Sequence, residues 1–280
     1  MSGSIEPEAI ESLLVLLRAL KLSTFVAHLE EVVGQAERGG WGCVQFLRHL
    51  AEMEMAERKQ RRTERLLKQS GIPAEKTIST LDQTKFPVKV RRQLAALFEG
   101  GFVDTAQNVL AFGLPGRGKT HALCAVGHEL IRRGYGVLFI PAYRLVQRLL
   151  AAKRDLALEK ELRRIDAYDA VIVDDIGYIQ QDREEMEVLF TFLAERYERR
   201  SVLITSNLVF SQWDRIFKDP MTTAAAIDRV VHHSVILEFT GPSVRAEEAL
   251  DREATDKEPK EKEAPKRREK EKPTVKEPTP

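Results

Sequence analysis

Hydrophobic positions along the 280-residue chain follow two different patterns. Between residues 10 and 17 apolar side chains recur every third or fourth position, which is typical of the apolar face of an amphipathic helix. A second helix is predicted to begin after Gly42 and to end where Gly71 and Pro73 interrupt the pattern. The first part of the chain is therefore predicted to form a small all-helical domain over residues 1–80.

Residues 105–240 show a different pattern, in which short, almost continuous apolar runs alternate with helical stretches. Such runs are typical of parallel strands that are covered by helices on both faces of a sheet. We therefore predict an α/β domain over residues 81–248 that contains a five-stranded parallel sheet. The predicted strands are NVLAF (108–112), GVLFI (136–140), AVIVD (170–174), SVLIT (201–205) and SVILEF (234–239).

Composition separates a third region from these two. Residues 249–280 consist mainly of Lys, Glu and Pro, and such a segment cannot bury enough apolar surface to offset the entropy of ordering, so we predict a disordered charged tail. The formal net charge of the chain is +1, so any affinity for nucleic acid must come from local basic patches. Two cysteines without partners at metal spacing indicate neither a disulfide framework nor a zinc finger. No apolar run reaches the roughly 18 residues of a membrane helix, so we expect no membrane partner and a cytoplasmic location.

The segment after the first predicted strand has the spacing of a phosphate-binding loop. GLPGRGKT (113–120) fits G-x-x-x-x-G-K-[ST] between a strand and a helix, where glycines let backbone N–H groups face a phosphate chain. Lys119 is expected to reach the β- and γ-phosphates, and Thr120 to place its hydroxyl on Mg²⁺. The candidate nucleotide-binding residues here are Gly113, Pro115, Gly116, Arg117, Gly118, Lys119, Thr120 and His121.

Polar side chains also stand at the ends of two later strands. In VIVDDIGY, Asp174 is expected to hold the Mg²⁺ shell at the carboxyl edge of the sheet, and Asp175 to orient or deprotonate the attacking water. In ITSN, the Asn207 amide either holds that water or caps a helix that begins near Ser211. The residues alone favour capping.

Together these motifs resemble the AAA+ ATPases, and within them the initiator clade that includes DnaC-type helicase loaders and IstB-type helper ATPases of insertion sequences. The resemblance covers most of residues 5–245, and its later motifs are more similar to IstB than to the loaders. It is carried by FLRHLAEMEMAERKQRRTERLLKQSGIPAEKTISTLD, GLPGRGKTHAL, VIVDDIGY, ITSNLVFSQW and AAAIDRVVHHSVILEF.

The resemblance implies that the nucleotide is ATP, and it suggests a role for several residues. Lys119 matches the Walker A lysine, and Asp174 and Asp175 match the Walker B pair. Asn207 occupies the sensor 1 position, which reverses the preference for a helix cap.

Two arginines receive roles only from the resemblance. Arg229 aligns with an arginine finger, which completes the site of a neighbouring subunit, whereas a surface ion pair with Asp228 is favoured without it. Arg245 lies where a sensor 2 arginine is expected to contact the nucleotide, although Val244 replaces the usual tyrosine. In the phosphate-binding loop, Arg117 replaces a common threonine and is expected to add positive charge near the phosphates.

The motif that contains Arg229 ends in two adjacent histidines. On a helix, His232 and His233 would point about 100° apart, and no Cys, Asp or Glu recurs around them at ligand spacing. A shared metal is therefore not favoured, and packing at a helix end is the preferred interpretation.

A basic run at residues 58–68, RKQRRTERLLK, is suited to following a phosphate backbone, with a solvated charged face as the alternative. The resemblance implies that such a protein oligomerises on duplex DNA with little sequence preference, as a ring or helical filament. It would deform the DNA and present it to the transposase of the same element. The candidate DNA-binding residues are Arg58, Lys59, Arg61, Arg62, Arg65 and Lys68.

Three other functions compete with this one. A replicative helicase loader would use the same ATPase site on single-stranded DNA. A small-molecule kinase would need phosphate-clamping arginines in a lid and gives the motif at residues 227–233 no role. A non-hydrolysing DNA-binding scaffold would be excluded by ATP turnover.

Overall fold

The computed structural model describes residues 7–178, 183–208, 212–213 and 220–240. A parallel five-stranded sheet lies at its centre, in the order β2-β3-β4-β1-β5. Each predicted strand is present, parallel and within one residue of its predicted bounds, so the predicted sheet is confirmed. The strands are β1 (Asn108–Phe112), β2 (Val137–Pro141), β3 (Ala170–Asp174), β4 (Ser201–Ser206) and β5 (Ser234–Glu238).

Helices precede the sheet and connect its strands. Short 3₁₀ turns at Gln83–Lys85 and Ile176–Tyr178 add to them. The α-helices of the described ranges are α1 (Pro7–Ala19), α2 (Ser23–Gly39), α3 (Cys43–Ser70), α4 (Val88–Phe98), α5 (Gly101–Asp104), α6 (Lys119–Arg132), α7 (Ala142–Arg154), α8 (Leu158–Asp166), α9 (Arg183–Arg196) and α10 (Pro220–Val231).

Helices cover the sheet on both faces. Successive strand residues point to opposite sides, and apolar side chains on both sides need to be buried. Leu110 and Phe112 of β1 face α7 to α10, whereas Val109 and Ala111 face α4 to α6. Both faces of the sheet are mainly apolar, which explains why the strands read as almost continuous hydrophobic runs rather than as alternating ones.

The predicted N-terminal helices are present, but they are divided differently. Lys21 adopts a left-handed conformation (φ 57°) and separates α1 from α2, a break that the apolar pattern does not mark. Helices α1 to α3 share a small apolar cluster around Leu17, Val32 and Leu50. Ile72, just after α3, is instead buried in the cluster on the α6 face of the sheet. The domain boundary near residue 80 stays a prediction.

Some predictions concern residues outside the described ranges. These are the charged tail over residues 249–280 and the sensor 2 candidate Arg245. Within the described ranges, no helix combines the length and apolar character needed to cross a membrane. Of the two thiols, Cys43 is exposed, while Cys124 is buried in α6 and burial raises its pKa to about 12.

Candidate nucleotide-binding and DNA-binding sites

The strand order brings three predicted motifs to one edge of the sheet. Strand β4 lies between β1 and β3, so the carboxyl ends of these three strands are adjacent. The phosphate-binding loop follows β1, Asn207 follows β4, and Asp174 ends β3. Ligands of open α/β sheets bind at this edge, where the strand order reverses.

The phosphate-binding loop encloses the ammonium group of its lysine. Lys119 is buried as the first residue of α6, and its Nζ donates to the carbonyl oxygens of Gly113 at 2.7 Å and Leu114 at 3.0 Å. Gly118 precedes the helix with φ 81°, and a Cβ there would lie 2.9 Å from the Phe86 ring. The loop thus places a cation and a helix N-terminus together, the arrangement that binds phosphate.

Other candidates in the loop have different surroundings. Pro115 is exposed and Gly116 is half-buried. Arg117 donates through Nη1 to the carbonyl oxygen of Phe239 at 3.1 Å, so its guanidinium contacts the chain beyond β5. The His121 Nε2 lies 3.2 Å from the carbonyl oxygen of Thr77, in the segment that precedes α4. The side chains of Arg117 and His121 therefore both contact backbone oxygens of segments next to the phosphate-binding loop.

The residues present fit Mg²⁺. Thr120 Oγ1 donates to Asp174 Oδ1 at 2.8 Å, so a hydroxyl oxygen and a carboxylate oxygen converge beside the phosphate-binding loop. Neighbouring oxygens in an octahedral Mg²⁺ shell lie about 2.9 Å apart, given bond lengths of about 2.05 Å. Thr205 also donates to the same Asp174 oxygen, at 2.6 Å. The sequence reasoning missed Thr205, although its place before Asn207 in ITSN was a possible signal.

Asp175 is exposed directly beyond this pair and has an unusual backbone. Its φ is 63°, and its N–H donates to Thr205 Oγ1 at 2.8 Å, which holds the turn. Left-handed backbone at a non-glycine residue costs free energy and is concentrated at functional sites. The turn places Asp175 next to the Thr120–Asp174 pair, at the carboxyl end of β3.

Asn207 is close to the Walker B segment. Its Oδ1 is buried and has no hydrogen-bond partner among the described residues, and a Cβ on Gly177 would overlap it. Buried acceptors are normally satisfied, so an unpaired one beside a ligand site indicates a ligand or water partner. The alternative role, a cap for a helix near Ser211, lies outside the described residues.

Arg229 lies at the opposite edge of the sheet. The carbonyl oxygen of the next residue, Val230, accepts from Asn108 Nδ2 at 3.2 Å, and Asn108 is the first residue of β1. The Arg229 guanidinium stacks on the Phe190 ring, with Cζ 4.6 Å from the centroid. Its Nη1 is buried without a hydrogen-bond partner among the described residues, and no ion pair with Asp228 is found there.

The basic run lies on α3, and its side chains divide into two groups. Arg58 and Arg61 hold α3 against the turn between α1 and α2, because Arg58 donates to the Lys21 carbonyl oxygen and Arg61 to Ser23 Oγ, each at 2.8 Å. Lys59, Arg65 and Lys68 are exposed. Arg58 and Arg61 therefore stabilise the packing of α3 in addition to their predicted role in DNA binding.

Arg62 belongs to a cleft of about 310 Å³ between α3 and the end of α6. It donates to the Gly134 carbonyl oxygen at 3.0 Å. Sequence reasoning missed the α6 side of this cleft, because its arginines lie about 70 residues further along the chain. The basic residues that line it are Arg58, Lys59, Arg62, Arg132 and Arg133.

The prediction that the two histidines lie on a helix is wrong. His232 and His233 lie in the turn after α10, not on the helix, so the 100° separation does not apply. Their rings are 4.3 Å apart, and potential ligand atoms of both lie within 4.8 Å of one another and of a carboxylate oxygen of Glu198.

The strand order and the phosphate-binding site at the carboxyl edge of the sheet define an AAA+ P-loop ATPase. In fold, the chain is similar to the crystal structure of DnaI, with a TM-score of 0.52, 20% identity, and coverage of 61% of this chain and 96% of that one. It is also similar to AMPPCP-bound DnaA from Aquifex aeolicus, with a TM-score of 0.50, 15% identity, and coverage of 68% and 57%.

More specifically, the chain belongs to the family of IstB-like ATP binding proteins, whose family model matches residues 15–252. It is 40% identical over 238 residues to an insertion sequence ATP-binding protein of Sinorhizobium fredii, which covers 85% of this chain and 80% of that one. It is 38% identical over 237 residues to the insertion sequence IS21 ATP-binding protein of Pseudomonas aeruginosa, covering 84% and 88%. The resemblance drawn from the motifs is confirmed.

Proposed function

We propose that the protein is an ATP-dependent DNA-binding regulator of transposition. It oligomerises on duplex target DNA, remodels it, and recruits and stimulates a partner transposase, with ATP hydrolysis as the assembly switch. Family membership and relatives described as insertion sequence ATP-binding proteins support the link to transposition. The observation that carries the oligomeric mechanism is the position of Arg229 relative to the phosphate-binding loop.

A strand length separates Arg229 from the loop of its own chain. Val230 is bonded to Asn108 at the start of β1, whereas Lys119 is bonded to Gly113 just beyond its end. Five residues of strand span about 16 Å. This separation supports a role for Arg229 at the nucleotide of a neighbouring subunit rather than at that of its own chain. A finger supplied in this way contributes roughly 10³ to 10⁵ in rate, and only in the assembled state.

Within each subunit, the residues at the carboxyl edge of the sheet are proposed to bind the nucleotide and to position the attacking water. Lys119 binds the β- and γ-phosphates, while Thr120 and Asp174 hold Mg²⁺, which neutralises charge on the phosphates when bound. Asp175 and Asn207 position the attacking water. Arg245, the sensor 2 candidate, stays a sequence-based proposal.

Duplex DNA is proposed to bind along α3 and the basic cleft. Lys59 and Arg62 project from α3 near Arg132 at the end of α6, so positive charge comes from two sides. The exposed Arg65 and Lys68 extend the basic surface toward the end of α3. Contacts of this kind neutralise phosphates without reading bases, which fits largely sequence-independent binding.

Subunit mixing tests the mechanism. Lys119→Ala is expected to abolish ATP binding and DNA-dependent assembly, and Arg229→Ala to retain ATP binding but lose hydrolysis on duplex DNA. An equal mixture of Arg229→Ala with Asp175→Asn, which keeps the ATP binding that assembly needs, is expected to recover about a quarter of wild-type hydrolysis, since random pairing places an intact Asp175 beside an intact Arg229 at one interface in four. Arg163→Ala, an exposed arginine paired with Glu159 on α8, is the control and is expected to hydrolyse normally.

A mixture no more active than its two components would contradict action between subunits. ATP-dependent complexes formed by Lys119→Ala would contradict the role of the phosphate-binding loop. Preference for single-stranded over duplex DNA, together with capture of a helicase instead of a transposase, would favour the helicase-loader alternative. Absence of ATP turnover by the wild-type protein with duplex DNA and transposase would favour the scaffold.

A further inference from the structure

Three potential metal ligands converge at the edge of the sheet opposite the nucleotide site. Glu198 lies in the turn that follows α9, and His232 and His233 lie in the turn between α10 and β5. One ligand atom of each lies within 4.8 Å of the others. His233 Nε2 and Glu198 Oε1 are 3.5 Å apart.

The backbone holds these residues in place. The carbonyl oxygen of His233 accepts from the N–H of Asn108 at 2.7 Å, which joins the turn to the start of β1. The N–H of His232 donates to the carbonyl oxygen of Asp228 at 2.9 Å. Glu198 has a φ of 55°, and this left-handed residue turns the chain between α9 and β4. Because β1 lies between β4 and β5, the two turns flank one point of the sheet.

We propose that Glu198, His232 and His233 form a Zn²⁺ site with three protein ligands and a fourth position open to water. Two imidazoles and one carboxylate are a ligand set that zinc uses. With bond lengths of about 2.0–2.1 Å and tetrahedral angles, ligand atoms lie about 3.4 Å apart, close to the distance between His233 and Glu198. The third ligand atom lies within 4.8 Å of the other two, and all three residues are exposed.

A neighbouring tyrosine orients one ligand. The Tyr197 hydroxyl lies 3.1 Å from His232 Nδ1. With Nδ1 engaged in this hydrogen bond, Nε2 of the same ring is available to the metal. Metal-bound histidines commonly have such a partner on their other nitrogen, and its loss weakens metal binding by about 10- to 100-fold.

The site is separate from the proposed Mg²⁺ site and uses different chemistry. Imidazole nitrogen selects zinc over Mg²⁺, which prefers oxygen ligands. Bound zinc would link the turn after α9 to the turn after α10, three residues beyond Arg229. Its binding nevertheless does not depend on ATP or DNA, so it can be tested apart from the proposed function.

The test measures Zn²⁺ binding by the full-length protein without a histidine tag, after treatment with a chelator and its removal. Calorimetric titration is expected to show one Zn²⁺ per chain that is lost in Glu198→Gln and in His233→Ala. Tyr197→Phe is expected to retain this Zn²⁺ with about 10- to 100-fold weaker affinity. Because zinc binds the folded chain, it is also expected to raise the Tm of the wild-type protein and not of the two ligand variants.

His28→Ala is the matched control. His28 and Glu31 form an exposed pair 3.3 Å apart that resembles the pair of His233 and Glu198 but lacks the second histidine. This variant is expected to bind zinc as the wild type does. Unchanged zinc stoichiometry and affinity in Glu198→Gln would overturn the site. Glu198→Gln remains informative even if His233→Ala fails to fold, because glutamine has the size of glutamate and position 198 is exposed. Equal zinc loss in His28→Ala would also overturn it.

Discussion

Thr205 Oγ1 donates to Asp174 Oδ1 over 2.6 Å, and this bond joins the end of β4 to the end of β3. The same hydroxyl accepts from the N–H of Asp175 at 2.8 Å, while Thr120 donates to the same carboxylate oxygen from the first turn of α6. One buried hydroxyl therefore orients both acidic residues relative to the phosphate-binding loop.

Replacing Thr205 by Val keeps the shape of the side chain but removes this hydroxyl. We expect the free energy of unfolding to fall by about 1–3 kcal/mol, because the Asp175 N–H loses its partner in a partly buried turn. Mg²⁺-dependent ATP hydrolysis is expected to fall by about 10- to 100-fold, as for other groups that orient metal ligands. Denaturant unfolding and steady-state ATPase assays measure the two effects.

Thr191→Val serves as the control for that variant. Thr191 lies on α9 and donates to the carbonyl oxygen of Glu187 within its own helix, away from the site. Its ATP hydrolysis is expected to remain at the wild-type level. Equal hydrolysis by Thr205→Val and Thr191→Val would show that Thr205 does not position the acidic pair.

Asp175→Asn separates water activation from nucleotide binding. Asparagine tolerates the left-handed backbone at this position, so the fold is expected to be retained. Loss of the carboxylate is expected to slow hydrolysis by about 10²- to 10⁴-fold with ATP affinity unchanged. Single-turnover hydrolysis and equilibrium binding of ATP check this, and a parallel loss of affinity would assign Asp175 a binding role instead.

Lys59→Ala tests the basic cleft without disturbing a hydrogen bond of the described residues. We expect weaker binding to duplex DNA of any sequence, with the slope of log K against log salt reduced by about 0.9. Lys89→Ala, an exposed lysine at the start of α4, is the control and is expected to leave the slope unchanged. If both variants keep the wild-type slope, Lys59 makes no phosphate contact.

Glu54 gives the helical N-terminal region a specific sensitivity to acid. Burial opposes its ionisation, but the Thr24 N–H and the Arg58 guanidinium, each 2.7 Å away, outweigh it and hold its pKa below the ordinary 4.5. Stability from this carboxylate is therefore present above about pH 4.5 and is lost as the pH falls through the lowered pKa.

Glu54→Gln is expected to remove that acid-dependent step and to lower the free energy of unfolding at pH 7 by about 1–3 kcal/mol. Glu52→Gln, which removes an exposed pair with Arg48 on the same helix, should have little effect. Hydrogen exchange of α2 and α3 in the full chain at pH 7 and pH 4 measures both. Equal protection in the two variants would contradict a stabilising role for Glu54.

The sheet was predictable because its strands lie between two layers of helices and most of their residues are buried, which produces the apolar runs that the sequence shows. The helical boundaries were less predictable: the break at Lys21 rests on backbone conformation and on packing of α1 and α2 against α3. Arg58 illustrates a further limit, since its charge indicates DNA while its contact with the Lys21 carbonyl oxygen depends on that packing.

The sequence by itself determined the parallel α/β architecture, the phosphate-binding loop and the family, because these depend on local periodicity and on fixed spacings around Lys119. Tertiary structure alone decided that Thr205 orients Asp174, that Arg132 faces α3, and that Glu198 meets two histidines. Each of these pairs is distant in the chain, and its members meet because the strand order and the packing of helices bring separate turns together. The separation of two residues along the chain does not determine how close they lie in the folded structure.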